Sequence, residues 1–236
     1  ENALESSRQS EKTKQAFFSN MSHDMRTPLN AIIGLTELAR QNTEDPQRTD
    51  GYLEKIAVSS RQLLELINDI LDMSRMEQGK VVLDYRQFDL KESIRECAEP
   101  FRLQAEKEGK QFQLSFDMSD PVVLGDPFRI GQVMNNLLSN ALKYTRSGSV
   151  SITLEAPKTL CIRDTGIGIA PEDLPRVFEK GYTGSNGRTD KRATGIGLYL
   201  CRRILEKLGH TIAITSTVGE GTTVRIGLQQ DALEVE

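Results

Sequence analysis

The sequence predicts a two-domain α+β fold. An N-terminal helical hairpin pairs with a second copy into a dimeric four-helix bundle, and a C-terminal α/β sandwich follows, a mixed sheet with helices on one face. Three observations carry this. From Phe17 to Ser74 apolar residues recur at steps of three and four; from Val81 onward strand-like runs alternate with amphipathic helical ones; and Ser74-Arg75-Met76-Glu77-Gln78-Gly79-Lys80, which loses periodicity and ends in Gly, lies between. The predicted domains are residues 1–76 and 77–236.

Residues 1 to about 41 read as one long helix, polar from Glu1 to Gln15 and striped from Phe17. Pro28 removes one rung of the hydrogen-bond ladder and predicts a bend there. Asn42 to Gly51 reads as a turn-rich link. Beyond it Leu53, Ile56, Ser60, Leu63, Ile67, Ile70 and Ser74 form a coiled-coil-like seam on a second helix. One such hairpin cannot cover its own apolar faces and two can, which predicts a homodimer.

In the second half, Val81 to Leu83 and Gln111 to Phe116 read as strands. Asp89-Leu90-Lys91-Glu92 is a capping box opening a helix to about Glu108. Asp126-Pro127 starts a helix to about Tyr144, with Pro at its first position. Ser149 to Leu154 and Thr159 to Ile162 read as antiparallel strands, Leu198 to Leu208 as a helix stopped by Gly209, and Thr211 to Ser216 and Thr222 to Leu228 as closing strands.

Composition narrows the function. With 37% hydrophobic residues, 27% charged and a net charge of −4, the chain has balanced basic residues and few aromatics, which argues against nucleic-acid binding. No apolar run reaches the roughly 20 residues of a membrane helix, so no membrane contact is expected of this fragment. A chain opening at Glu1 without an initiator Met reads as a fragment, and its parent has room for a membrane anchor. Cys97, Cys161 and Cys201 lack metal or redox spacing and read as reduced thiols in a cytoplasmic setting.

Two sets of residues carry chemistry. On the first helix, at about 100° per residue, Phe17, Met21, Met25, Ile32 and Leu35 share a stripe, while His23, Arg26, Thr27 and Asn30 gather opposite. His23 thus faces solvent with the carboxylate Asp24 beside it and the hydroxyl of Thr27 one turn on. Taken alone, an incidental surface histidine is the commoner explanation; the remainder of the chain argues otherwise.

The second set lies in the C-terminal half. Asn136, Asn140, Lys143 and Tyr144 share a helical face by spacing of four and three, where amide oxygens suit Mg²⁺ and an ammonium suits phosphate. Asp164-Thr165-Gly166-Ile167-Gly168 follows a strand: its carboxylate can accept from a nucleobase amino group, and its glycines permit close backbone approach. Thr194-Gly195-Ile196-Gly197-Leu198 runs into a helix and aims N–H groups at phosphate, without the Lys and Ser/Thr of a P-loop. Between these turns, Gly181 to Arg192 suits a lid whose Arg188, Lys191 and Arg192 meet phosphates. Gly219-Glu220-Gly221-Thr222 reads as an ordinary hairpin turn.

In this order, these pieces resemble the catalytic core of sensor histidine kinases from two-component systems. The stretch around His23 resembles the phosphoacceptor box, and the second half resembles the ATP-binding domain of the gyrase, heat-shock-90 and histidine-kinase superfamily. The resemblance implies ATP and Mg²⁺ as cofactors, with Asn140 as metal ligand, Tyr144 beside the base, Asp164 reading adenine's amino group and Phe178 in the lid-flanking box. Asp24 stands where many relatives have Glu. The expected activity is ATP-dependent autophosphorylation on His23, with Asp24 as base, then transfer to an aspartate of a response-regulator receiver domain. The resemblance also implies a phosphatase role for Thr27. A clamp ATPase of the gyrase or chaperone type and a non-catalytic scaffold are the alternatives; both leave the His23 stretch without a purpose.

Overall fold

The computed structural model describes residues 2–117, 121–155, 158–185 and 194–228, with side chains from residue 21 onward. Phe17 of the predicted stripe and the lid cations Arg188, Lys191 and Arg192 lie outside the residues so described.

Helix α1 (Asn2–Gln41) runs unbroken through Pro28. It packs against α2 (Pro46–Glu77), and Met21, Leu66, Met73 and Met76 are buried. Two expectations are corrected here. The link is shorter than Asn42 to Gly51, because Asp45 accepts from the Arg48 amide at 3.1 Å and Pro46 takes the first helical position, which together start α2 five residues before Gly51. At its far end α2 continues through Ser74 to Glu77, so the predicted linker begins late, at Gln78. The predicted seam is only part of what α2 buries: Leu53 stays exposed, whereas Leu66, Met73 and Met76 join the core of the second half.

The second half contains β1 (Arg86–Asp89), α3 (Leu90–Lys107), β2 (Gln111–Asp117), β3 (Val122–Gly125), α4 (Pro127–Tyr144), β4 (Ser149–Glu155) and β5 (Thr159–Asp164). A 3₁₀ turn (Leu174–Arg176), α5 (Gly197–Lys207), β6 (Thr211–Thr217) and β7 (Gly221–Gly227) follow among the described residues. Five strands form a mixed sheet in the order β2-β4-β5-β7-β6, parallel only between β2 and β4. Helices α3, α4 and α5 pack on it, as the sequence predicts. Val81 to Leu83 is not a strand: the pairing falls on Arg86–Asp89, which joins β3 in a separate two-stranded sheet.

Alternation along the central strands sets up the site. Val150, Ile152 and Leu154 of β4 point inward and are fully buried, as are Leu160 and Ile162 of β5. The next inward position of β5 is Asp164, so period-two geometry delivers a carboxylate to the end of a core row. On α4, Ile130, Val133, Met134, Leu137, Leu138, Ala141 and Leu142 fill the core-facing stripe, and Asn136 and Asn140 sit half-buried at its margin.

Candidate functional site

Two sites emerge, one on each half. On α1 the His23 side chain is 69% exposed, and its Nδ1 lies 3.4 Å from Asp24 Oδ1. Asp24 is only 17% exposed, and burial pushes its carboxyl above the ordinary aspartate range while the hydrogen bond to His23 opposes the shift. Thr27, one turn on, donates its hydroxyl to the His23 carbonyl at 3.1 Å. The amphipathic register of α1 puts His23 and Thr27 on the wet face while Met21 is buried on the other and Asp24 lies between.

The second site gathers at the C-terminal ends of α4 and β5 and the N-terminus of α5. Asp164 is 8% exposed, and its Oδ1 accepts from the Gly166 amide at 2.8 Å and the Thr222 amide at 3.3 Å. Burial raises its carboxyl above the ordinary range, with those two N–H groups opposing. A Cβ on Gly166 would collide with the Tyr144 carbonyl oxygen and with Asp164 Oδ1, and the Ile167 amide donates to that same carbonyl at 3.1 Å. Gly168 adopts φ +70° with its α-carbon against the Thr217 backbone, a place no side chain fits.

Beside the asparagine face of α4, α5 begins at Gly197 with no capping bond from the side chain of its N-cap residue, Ile196, and Thr194 Oγ1 accepts from the Ile196 amide at 3.3 Å. An uncapped helix start carries N–H groups suited to anions. A Cβ on Gly197 would stand 2.9 Å from Asn136 Oδ1, so this helix start packs directly on the asparagine face of α4. Gly195, at φ +67°, lies against Gly181 and Tyr182, and the Gly181 amide donates to the Gly195 carbonyl at 3.1 Å.

The fold therefore brings Asn136, Tyr144, Asp164, Gly166, Gly195 and Gly197 together, with half-buried Asn140 one turn along α4 from both Asn136 and Tyr144. Lys143 is exposed, its Nζ 5.0 Å from the centre of the Tyr144 ring. Leu198 instead packs partly against the core. No group of three or more His, Cys, Asp or Glu residues fit to hold a metal occurs among the described residues.

Two parts of the site were not predicted. Thr222 supplies an amide to Asp164 from a turn read as ordinary, and Ser216 Oγ braces it through the Gly221 carbonyl at 2.8 Å and Thr222 Oγ1 at 2.9 Å. Asp173, buried ahead of the 3₁₀ turn, binds Tyr182 and Ser185. Neither has a local sequence signal, since both act across long loops.

Comparison with known proteins follows the same division. The His Kinase A (phospho-acceptor) domain family matches residues 13–79, and the histidine kinase-, DNA gyrase B- and HSP90-like ATPase family matches residues 125–232. Sensor protein GacS of Pseudomonas syringae pv. syringae is 36% identical over 237 residues, covering 96% of this chain and 26% of GacS. Histidine protein kinase DivJ of Caulobacter vibrioides is 37% identical over 218 residues, covering 90% and 36%. Among solved structures, full-length ShkA in complex with AMPPNP superposes with a TM-score of 0.67 at 25% identity, covering 91% of this chain and 46% of ShkA. The chain thus spans roughly a quarter to a third of these curated relatives. No helix among the described residues is long and apolar enough to cross a membrane.

Proposed function

The chain belongs to the histidine kinases, and from that membership we propose that it phosphorylates itself on His23 from Mg·ATP and passes the phosphoryl group to an aspartate of a response-regulator receiver domain. It is a protein histidine kinase of two-component signal transduction, with an ATP-binding domain in its second half. Residues 1–76 serve dimerisation and phosphotransfer, and residues 77–236 serve catalysis.

The observation that carries the reading is the exposed imidazole of His23 held 3.4 Å from a largely buried carboxylate. Asp24 faces Nδ1, so Nε2 is the nitrogen turned toward an incoming phosphoryl group. Asp24 holds the tautomer with its proton on Nδ1 and takes that proton as the N–P bond forms and the P–O bond to the leaving diphosphate breaks. Asp164 accepts a hydrogen bond from the adenine amino group, since its described bonds both end on Oδ1. Thr194, Gly195 and the first amides of α5 cradle phosphate oxygens. Asn140 offers the amide oxygen for Mg²⁺, which when bound neutralises charge on the diphosphate. Lys143 and the cations Arg188, Lys191 and Arg192 add to that field.

A homodimer is supported by Leu29, Ile33, Leu38, Leu53, Val58, Leu64 and Leu71, all exposed on the single hairpin, which a second hairpin would cover. Thr27 is assigned the orientation of water in dephosphorylating the regulator.

The test is incubation with γ-labelled ATP and Mg²⁺, with wild type beside His23→Ala and Asn140→Ala. Acid-labile, alkali-stable label on the wild type alone is expected. Label retained by His23→Ala would refute the acceptor assignment.

A further inference from the structure

Asp173 is buried to 7% exposure at the start of the 3₁₀ turn, where its side chain makes no capping bond to that turn. Its carboxylate turns instead to a segment nine to twelve residues on. Oδ1 accepts from the Tyr182 hydroxyl at 2.6 Å, and Oδ2 accepts from the Ser185 amide at 2.8 Å and the Ser185 hydroxyl at 2.9 Å. Gly184 is wrapped so closely that a Cβ there would stand 2.7 Å from Oδ2. The Tyr182 ring is clasped on its face by the Arg176 guanidinium, 4.2 Å from the ring centre. A buried carboxylate is costly unless donors meet it, and three donors from the segment Tyr182–Ser185 meet it here.

That segment is also what the second glycine turn rests on. Gly195 has no room for a side chain because the Gly181 carbonyl carbon would lie 2.5 Å, and the Tyr182 backbone 2.8 Å, from its Cβ. The Gly181 amide closes the contact onto the Gly195 carbonyl. Two residues later Gly197 opens α5 against Asn136. A continuous set of contacts therefore runs from Asp173 through Tyr182 to Gly195 and the uncapped start of α5.

Resting on the nucleotide-site reading above, we infer that Asp173 is a positioning residue for the nucleotide's phosphates: it fixes Tyr182 to Ser185, and so holds the Gly195 turn and the first α5 amides in register. It touches no nucleotide atom. Its loss loosens the phosphate side of the proposed nucleotide site and leaves the adenine side, built on Asp164, in place.

The test compares ATP and adenosine binding, by NMR titration, to the whole 236-residue chain as wild type, Asp173→Asn, Tyr182→Phe, the double variant and Asp164→Asn. Asp173→Asn is expected to weaken ATP about tenfold, the scale of one charge-assisted hydrogen bond, and to leave adenosine affinity unchanged. Tyr182→Phe is expected to weaken ATP less, and the double variant no more than Asp173→Asn alone. Equal weakening of ATP and adenosine would make Asp173 a general structural residue and overturn the inference, as would wild-type ATP affinity in Asp173→Asn. If Asp164→Asn left adenosine binding intact, the nucleotide-site reading itself would fail, separately from the role of Asp173.

Discussion

Asp72 near the end of α2 and Arg129 in the first turn of α4 form an ion pair, Oδ2 to Nη1 at 3.2 Å, that ties the helical hairpin to the ATP-binding half. Gln132 donates to the same oxygen at 2.7 Å, and both partners of the ion pair are mostly buried. Pairs this sheltered from water couple more strongly than surface pairs. In a double-mutant cycle of Asp72→Ala and Arg129→Ala followed by urea unfolding, a coupling of about 1 kcal/mol or more is expected. Strictly additive losses would show the pair to be idle.

Asp69, one turn before Asp72, is pushed up to about 6 by burial and by its neighbours Asp72 and Glu65. A carboxyl raised in the folded state stabilises it fully below its unfolded pKa near 3.8, and that contribution disappears as pH rises through about 6. Asp69→Asn stays neutral throughout. It is therefore expected to be more stable than wild type at pH 8, with the difference closing as pH falls toward 4. Denaturant midpoints measured across that range check this; a constant difference would contradict it.

Asp164→Asn keeps an oxygen for the Gly166 and Thr222 amides but can turn an N–H₂ group toward adenine's own amino group. Nucleotide affinity should fall by roughly 10- to 100-fold, the value of a hydrogen bond to a charged group. Titration with a fluorescent ATP analogue reads the loss, and an unchanged melting temperature shows that the fold is intact.

Gly168→Ala meets two penalties together, a positive φ and the backbone of Thr217. A destabilisation of about 2 kcal/mol or more is expected, read as a lowered urea midpoint. Gly34, with open space around it and no positive φ, serves as the control; Ala there should be neutral or slightly stabilising.

Asp24→Asn retains the shape beside His23 but cannot take its proton. Autophosphorylation should slow by about 10²-fold while ATP affinity holds. A rate equal to wild type would remove Asp24 from the mechanism.

Much of this was legible locally. Helix α4 announced itself through Asp126-Pro127 and its apolar stripe, and Asp126 does cap it by accepting from the Arg129 amide at 3.1 Å. Asp45-Pro46 offers the same chemistry at the same distance to Arg48, yet it sat among turn residues and was read as a link. The four-residue strands β1 and β3 were missed because so short a run shows hardly any alternation, and Phe88 is the one inward residue of β1. Gly166, Gly168 and Gly195 could be read because the close backbone approach at each leaves room for no side chain. Thr222 and Asp173 could not: their partners lie 58 residues away in one case and up to 12 in the other, and no local pattern encodes such pairing.

The position of β7 in the sheet has a consequence for synthesis. It is last in the chain among the described strands, yet it lies between β5 and β6 and carries the Thr222 amide bonded to Asp164. On a ribosome, where chains emerge N-terminus first, His23 and its helix are exposed long before that strand appears. Until β7 emerges, β5 remains an open edge and the Asp164 carboxylate lacks one of the two amides described on it. The His23 helix is thus made early and the surroundings of Asp164 late, so a chain cut short before Gly221 carries the first complete and the second without its Thr222 amide.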